Sequence, residues 1–225
     1  MSAGVVERYL STGRELGCIA GASLANLAVA ATVFAVAGTA ADGTELALRT
    51  TARVSLVWFL LAFCASPAFR LWPGRLTHAW LGYRRAFGVV FGLSMSIHVG
   101  CILRLFQQFA PARPPMVTTT DFTIGIPGLV FVAAMTVTSI GALQRAVGPV
   151  VWGRLHRVGI WVVWAIFILC LLDSVGRKRT AHAVLAYYVF IGVLGLAAVL
   201  RACAGTTPAP NGHDGSVVAR GNHPS

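Results

Sequence analysis

Apolar residues come in six runs along this chain, at about 17–38, 54–71, 86–106, 123–143, 157–175 and 181–203. The few charges within them stand near their ends. A helix needs about 20 apolar residues to cross a hydrocarbon layer of roughly 30 Å, so each run has the length of a membrane span or comes close. Only 11% of the 225 residues are charged, against about 25% in a soluble domain, and the mean hydropathy is +0.74. The reading is an all-α polytopic membrane protein, a six-transmembrane-helix bundle whose first partner is the lipid bilayer. The second and fifth runs are short and call for tilt or for snorkelling by flanking Arg and Trp. Residues 1–16 form an N-terminal segment, 17–203 the transmembrane domain, and 204–225 a tail without periodicity that reads as disordered.

A net charge of +11 raises the question of nucleic acid, but the cations form no stripe. Seventeen of the eighteen are Arg, and most lie where apolar runs meet headgroups. A clustered basic face is the footprint of a nucleic-acid binder, and that face is absent from the sequence. The first apolar run follows Arg8 and Arg14 and is longer than a signal-peptide core, so it reads as an uncleaved anchor. Counting basic residues on alternate sides gives eleven against seven, which predicts both termini in the cytoplasm and a multi-pass protein of the inner (plasma) membrane.

Five cysteines (Cys18, Cys64, Cys101, Cys170 and Cys203) lie in apolar segments without a CxxC pair, as small core side chains do. Two histidines are harder to explain. His98 stands deep in the third run, and His156 opens the fifth within Trp152-Gly-Arg-Leu-His-Arg157. An imidazole in hydrocarbon has few inexpensive roles, and axial ligation of haem iron is one. At 1.5 Å per residue His98 lies about 20 Å beyond Arg85, whereas His156 lies at the inner interface, so the two cannot ligate one iron. Asn26 is expected to bond between helices, and Asp173 to pair with Arg177 at the outer end of its run. No dinucleotide fingerprint, P-loop or nucleophile turn is present, so electrons from NAD(P)H would require another subunit or a quinol.

The order of several short motifs resembles the ferric-reductase-like transmembrane domain family over roughly residues 50–175. These are Thr51-Ala-Arg53, Ser66-Pro67-Ala-Phe-Arg70, Arg84-Arg85-Ala-Phe-Gly88 with His98, Thr138-Ser139, Ala142-Leu-Gln-Arg145, Gly148 and Leu155-His156-Arg157. Within the family the chain is most similar to haem-binding membrane subunits of bacterial periplasmic methionine-sulfoxide reductase systems. The resemblance implies a six-helix bundle that holds haem b and passes electrons across the membrane. His98 matches the deep axial ligand, and His156 the first histidine of the fifth span. A second histidine is expected thirteen residues after His156; here that position is Leu169, followed by Cys170.

Three arrangements stay open for His98: ligation completed by Cys170, ligation completed by His182, or a five-coordinate iron held by His98 alone. Gly88, Gly92, Ser94 and Ser96 make the third span slim, which suits a flat macrocycle or close helix packing. At the inner level, Arg84 lies fourteen residues before His98 on nearly the same face and is a candidate for haem propionates. His78, in the preceding loop, is a candidate partner of His156, which otherwise meets lipid phosphates. The functional expectation is an electron-transfer subunit relaying electrons from a quinol or flavoprotein donor to an extracytoplasmic redox partner, catalysis in the strict sense belonging to that partner. The rival is a member that has lost haem and serves as a structural or assembly subunit. Small-solute transport would want broken helices or paired intramembrane charges, and neither is evident.

Overall fold

In the computed structural model, residues 3–109, 119–177 and 181–206 are described. They form eight helices and no strand: α1 (Ala3–Ala37), α2 (Ala41–Leu71), α3 (Arg75–Gly82), α4 (Arg84–Phe109), α5 (Thr119–Thr138), α6 (Gly141–Val147), α7 (Pro149–Arg177) and α8 (Ala181–Thr206). Five are long and apolar enough to cross a membrane: α1, α2, α4, α7 and α8. Helix α5 is a shorter apolar helix in the same bundle. The chain is a multi-pass membrane protein.

The second and fifth runs, expected to be short, are in fact two of the longest helices, at 31 and 29 residues. Hydropathy stops counting at Thr50, Thr51 and Arg53 and at Arg154, His156 and Arg157, but the backbone does not. In and near hydrocarbon each N–H and C=O needs an internal partner, which favours continuing the helix through polar residues that can face the bundle or the interface. The run expected over 123–143 instead ends at Thr138. There Ser139 N–H donates to both Met135 O and Thr136 O, Ile140 N–H closes a tighter turn to Val137 O, and the Ser139 hydroxyl takes up Met135 O at 2.7 Å. Helix α6 follows, and Gly148, at φ +81°, ends it by donating to Gln144 O. Pro149 then opens α7, where a missing N–H costs nothing. Helix α8 runs to Thr206, past the 204 at which the tail was expected to begin; residues 207–225 lie outside the described residues.

Helix α2 is the hub, packing against α1, α3, α4 and α8, while α7 bridges α5 and α8. Its core face carries Phe59, whose ring centroid lies 5.4 Å from Phe63, 5.5 Å from Phe91 of α4 and 5.4 Å from Phe167 of α7. Val132, Val163 and Leu194 complete this cluster. The polarity is that of a bilayer protein. Thr44, Thr51, Ser55 and Ser94 are buried, while Leu24, Val130 and Leu196 are among many large apolar side chains turned outward. Hydroxyls are drawn inside because lipid offers them no partner, and aliphatic side chains outside lose nothing.

Candidate functional site

Helix α4 presents Phe91, Ser94, His98, Cys101 and Leu105 along one face, and that face meets α2. Ser94 Oγ and Ser55 Oγ share a hydrogen bond of 2.9 Å in the buried seam. One turn further along α4, His98 Nδ1 lies 3.1 Å from Thr51 Oγ1. The direction of that bond follows from counting protons. The threonine hydroxyl has one, and it is directed at backbone carbonyls of its own helix, Ala47 O at 2.8 Å and Leu48 O at 3.1 Å. Toward His98 the oxygen can therefore only accept, so Nδ1 carries the hydrogen and Nε2 keeps its lone pair. This is the tautomer that an Nε2-ligating histidine needs, held by a neighbour that also fixes the ring. The imidazole also lies within hydrogen-bonding reach of the Leu48 carbonyl, which like Thr51 Oγ1 can only accept.

Of the small residues before His98, Gly92 serves helix packing, whereas a Cβ on Gly88 would meet nothing within 4 Å. Gly92 faces the Thr136 side chain of α5 so closely that a Cβ would overlap Thr136 Oγ1, and the Ser96 hydroxyl is turned back on Gly92 O. Midway along the bundle the gap between α4 and α7 is closed by rings, Phe91 and Phe167 lying 6.2 Å apart. The fifth-span position at which a second histidine is expected, Leu169, is 46% exposed on the lipid side of α7. Cys170 beside it is half-buried. The His182 side chain lies outside the described residues, as does that of Arg177, the expected partner of Asp173.

At the opposite end of the bundle His156 is half-buried between α7 and α5. Its Nδ1 lies 3.1 Å from Trp152 O, which can only accept, so here too the hydrogen sits on Nδ1. Nε2 is 3.4 Å from Ser139 Oγ, whose own proton goes to Met135 O, so this nitrogen is engaged at long range by a group that can only accept; the imidazole lies against the Trp152 ring at 4.3 Å. His78, by contrast, is exposed on α3 with its ring edge-on to Phe69. Helix α3 packs on α2 and α4, so His78 is not brought to His156.

Arginines collect at this end. Arg84 is half-buried and within electrostatic reach of both His156 and Arg201. Arg85 donates to Ser139 O at 2.6 Å, fastening α4 to the turn after α5. Arg201, which sequence reasoning passed over, makes the more consequential bond. Its Nη1 donates to Phe63 O at 2.8 Å, and its guanidinium lies 4.7 Å from the Phe63 ring centroid. Phe63 is four residues before Pro67, which stands inside α2 and has no N–H to return. Arg201 thus satisfies the carbonyl that Pro67 leaves without its helical donor. The signal was present in the sequence: a proline within one apolar run and an arginine within another. Asn26 does bond between helices as expected, its Oδ1 accepting from Trp58 Nε1 at 3.0 Å.

The family model for the ferric reductase like transmembrane component matches residues 51–171. The chain belongs to that family. No curated protein and no solved structure gives a significant match. The matched region opens at Thr51, the residue that orients His98, and closes just beyond Leu169 and Cys170. Membership makes this a ferric-reductase-like membrane electron-transfer component. For haem, the chemistry of the donor set fits one axial ligand at the level of His98, since Thr51 fixes that imidazole through Nδ1. The fifth span offers no histidine opposite it.

Proposed function

We propose that this ferric-reductase-like protein binds haem b through His98 Nε2 and relays electrons across the inner (plasma) membrane, with both termini cytoplasmic. The donor is a quinol or a flavoprotein subunit, and the acceptor an extracytoplasmic redox partner of the kind served by membrane subunits of methionine-sulfoxide reductase systems. The observation that carries this reading is the Thr51–His98 contact, which sets the ligating tautomer on a buried helix face. Bound haem would supply one-electron chemistry at its iron. The chain's own contribution is to hold the imidazole, to keep water away with the rings of Phe59, Phe91 and Phe167, and to present cationic groups at the arginine-rich end. Arg84, half-buried and without a carboxylate partner among the described residues, is suited to a propionate there, and His156 is the candidate ligand of a second haem level, which would require its Nε2 to leave Ser139 Oγ. His98 alone holds the first iron in this proposal; Cys170 and His182 are its candidate sixth ligands.

A second reading is favoured by a specific observation. Leu169 faces lipid and aromatic rings fill the space between α4 and α7, as suits a member that keeps the bundle as a structural or assembly subunit without haem. The absorption spectrum of the purified full-length protein, oxidised and dithionite-reduced, separates the two. A Soret band lost in His98→Ala supports the haem protein. A colourless protein from haem-replete cells would sink it.

A further inference from the structure

On the outer side of α2, away from His98, an apolar groove of about 250 Å³ runs between α2, α3 and α8, with Leu60, Leu61, Cys64, Trp80, Ala197 and Leu200 among its walls. Trp80 closes one side, its indole N–H donating to Leu61 O at 2.9 Å, so that the short helix α3 is pinned alongside α2. The groove is smaller than the 300–1,000 Å³ usual for a cofactor or drug-sized ligand, and nearly all of its lining is hydrocarbon.

One end is charged. Arg201 follows Ala197 by one turn on α8 and so continues the stripe of residues that lines the groove. Arg70, near the end of α2, donates to Ala204 O at 3.3 Å and lies within electrostatic reach of Arg201. Each guanidinium has five N–H donors, and each has one bond to a carbonyl, Arg201 to Phe63 O and Arg70 to Ala204 O. Among the described residues, no acid answers them on the walls. The carboxylates of α2, Asp42 and Glu45, stand at its opposite end, and α3 and α8 have none. Arg84 brings a third positive charge close by. Two arginines with donors to spare, next to a hydrocarbon groove in the same membrane leaflet, complement a molecule with a phosphate at one end and an alkyl chain at the other.

We infer that this groove is a binding site for one anionic phospholipid, an acyl chain lying between α2, α3 and α8 and the phosphate held by Arg70 and Arg201. The lipid would tie the ends of α2 and α8 together and offset the mutual repulsion of three arginines. The site stands whether or not the chain carries haem.

Native mass spectrometry of the full-length protein, released from micelles containing equal phosphatidylglycerol and phosphatidylcholine, tests it. One phosphatidylglycerol per chain should be retained, with a preference of about thirtyfold from two arginines near an anionic headgroup. The pair Arg70→Gln and Arg201→Gln should bring the two lipids to parity. Val193→Trp, at a half-exposed wall of the groove, fills it and leaves the arginines, and should abolish retention of both. Equal retention of the two lipids by the unaltered protein would overturn the assignment, as would a persisting preference in the folded double variant or a quinone released in place of phospholipid. Should the double variant fail to fold, the unaltered protein still decides. Its melting temperature should be higher in phosphatidylglycerol than in phosphatidylcholine nanodiscs, and equal values refute the site.

Discussion

The bond between Arg201 and the Phe63 carbonyl can be weighed by a double-mutant cycle with Pro67. In the unaltered protein Arg201 makes two interactions, a charge-assisted hydrogen bond of 2.8 Å to Phe63 O and a cation–π contact 4.7 Å from the Phe63 ring. Hydrogen bonds to charged groups contribute about 1.5–3 kcal/mol, and a desolvated cation–π contact about 2 kcal/mol. Arg201→Ala should therefore cost about 3.5–5 kcal/mol, the loss of the bond leaving a carbonyl without a donor in hydrocarbon. Pro67→Ala returns an N–H four residues beyond Phe63 and so resupplies that carbonyl from within α2. In that background Arg201→Ala removes only the ring contact, and its cost should fall to about 2 kcal/mol. The expected coupling is therefore about 1.5–3 kcal/mol. Unfolding free energies of the four proteins in mixed micelles give it directly. Costs that add to within about 0.5 kcal/mol would mean that Pro67 and Arg201 act independently, and the capping argument would be wrong.

Other outcomes follow from the same geometry. Thr51→Val removes the acceptor for His98 Nδ1 and should weaken haem binding by about 10–100-fold in a titration of the purified protein, whereas Thr51→Ser should restore it. Leu169→His should leave the reduced haem spectrum unchanged, because that side chain faces lipid; a shift to a bis-histidine spectrum would refute the orientation of α7. Gly92→Ala pushes a methyl group into Thr136 and should lower stability by about 1–3 kcal/mol in thermal melts, with Thr136→Ala relieving much of the loss. Asn26→Leu should cost about 0.6–1.7 kcal/mol by breaking the bond from Trp58, and it should do so without altering any haem spectrum.

Much of the candidate site was legible in the sequence as positions and little of it as directions. His98, His156 and Arg84 stood out because a polar side chain in hydrocarbon is costly and rarely idle. The motif order around them marked the family, and the family match over 51–171 agrees with it. Thr51 belonged to one of those motifs, yet nothing in the sequence told which helix its hydroxyl would meet. His78 shows the same limit. It was a candidate partner of His156 should its loop fold inward, and instead α3 lies against α2, pinned there by the bond from Trp80 to Leu61 O.

Taken alone, the sequence determined an all-helical membrane protein, the approximate register of its apolar helices and the gathering of arginines at their ends. Those follow from the cost of burying charge and bare backbone in lipid, which depends on local composition only. Tertiary structure decided which face each helix turns inward: His98 toward Thr51, Arg201 toward the carbonyl freed by Pro67, and Leu169 out to the bilayer. In a soluble helix a polar stripe would have revealed that face in advance. Here the helices are apolar nearly all round, since lipid and protein interior are equally greasy, and only packing and the pairing of a few polar atoms break the symmetry.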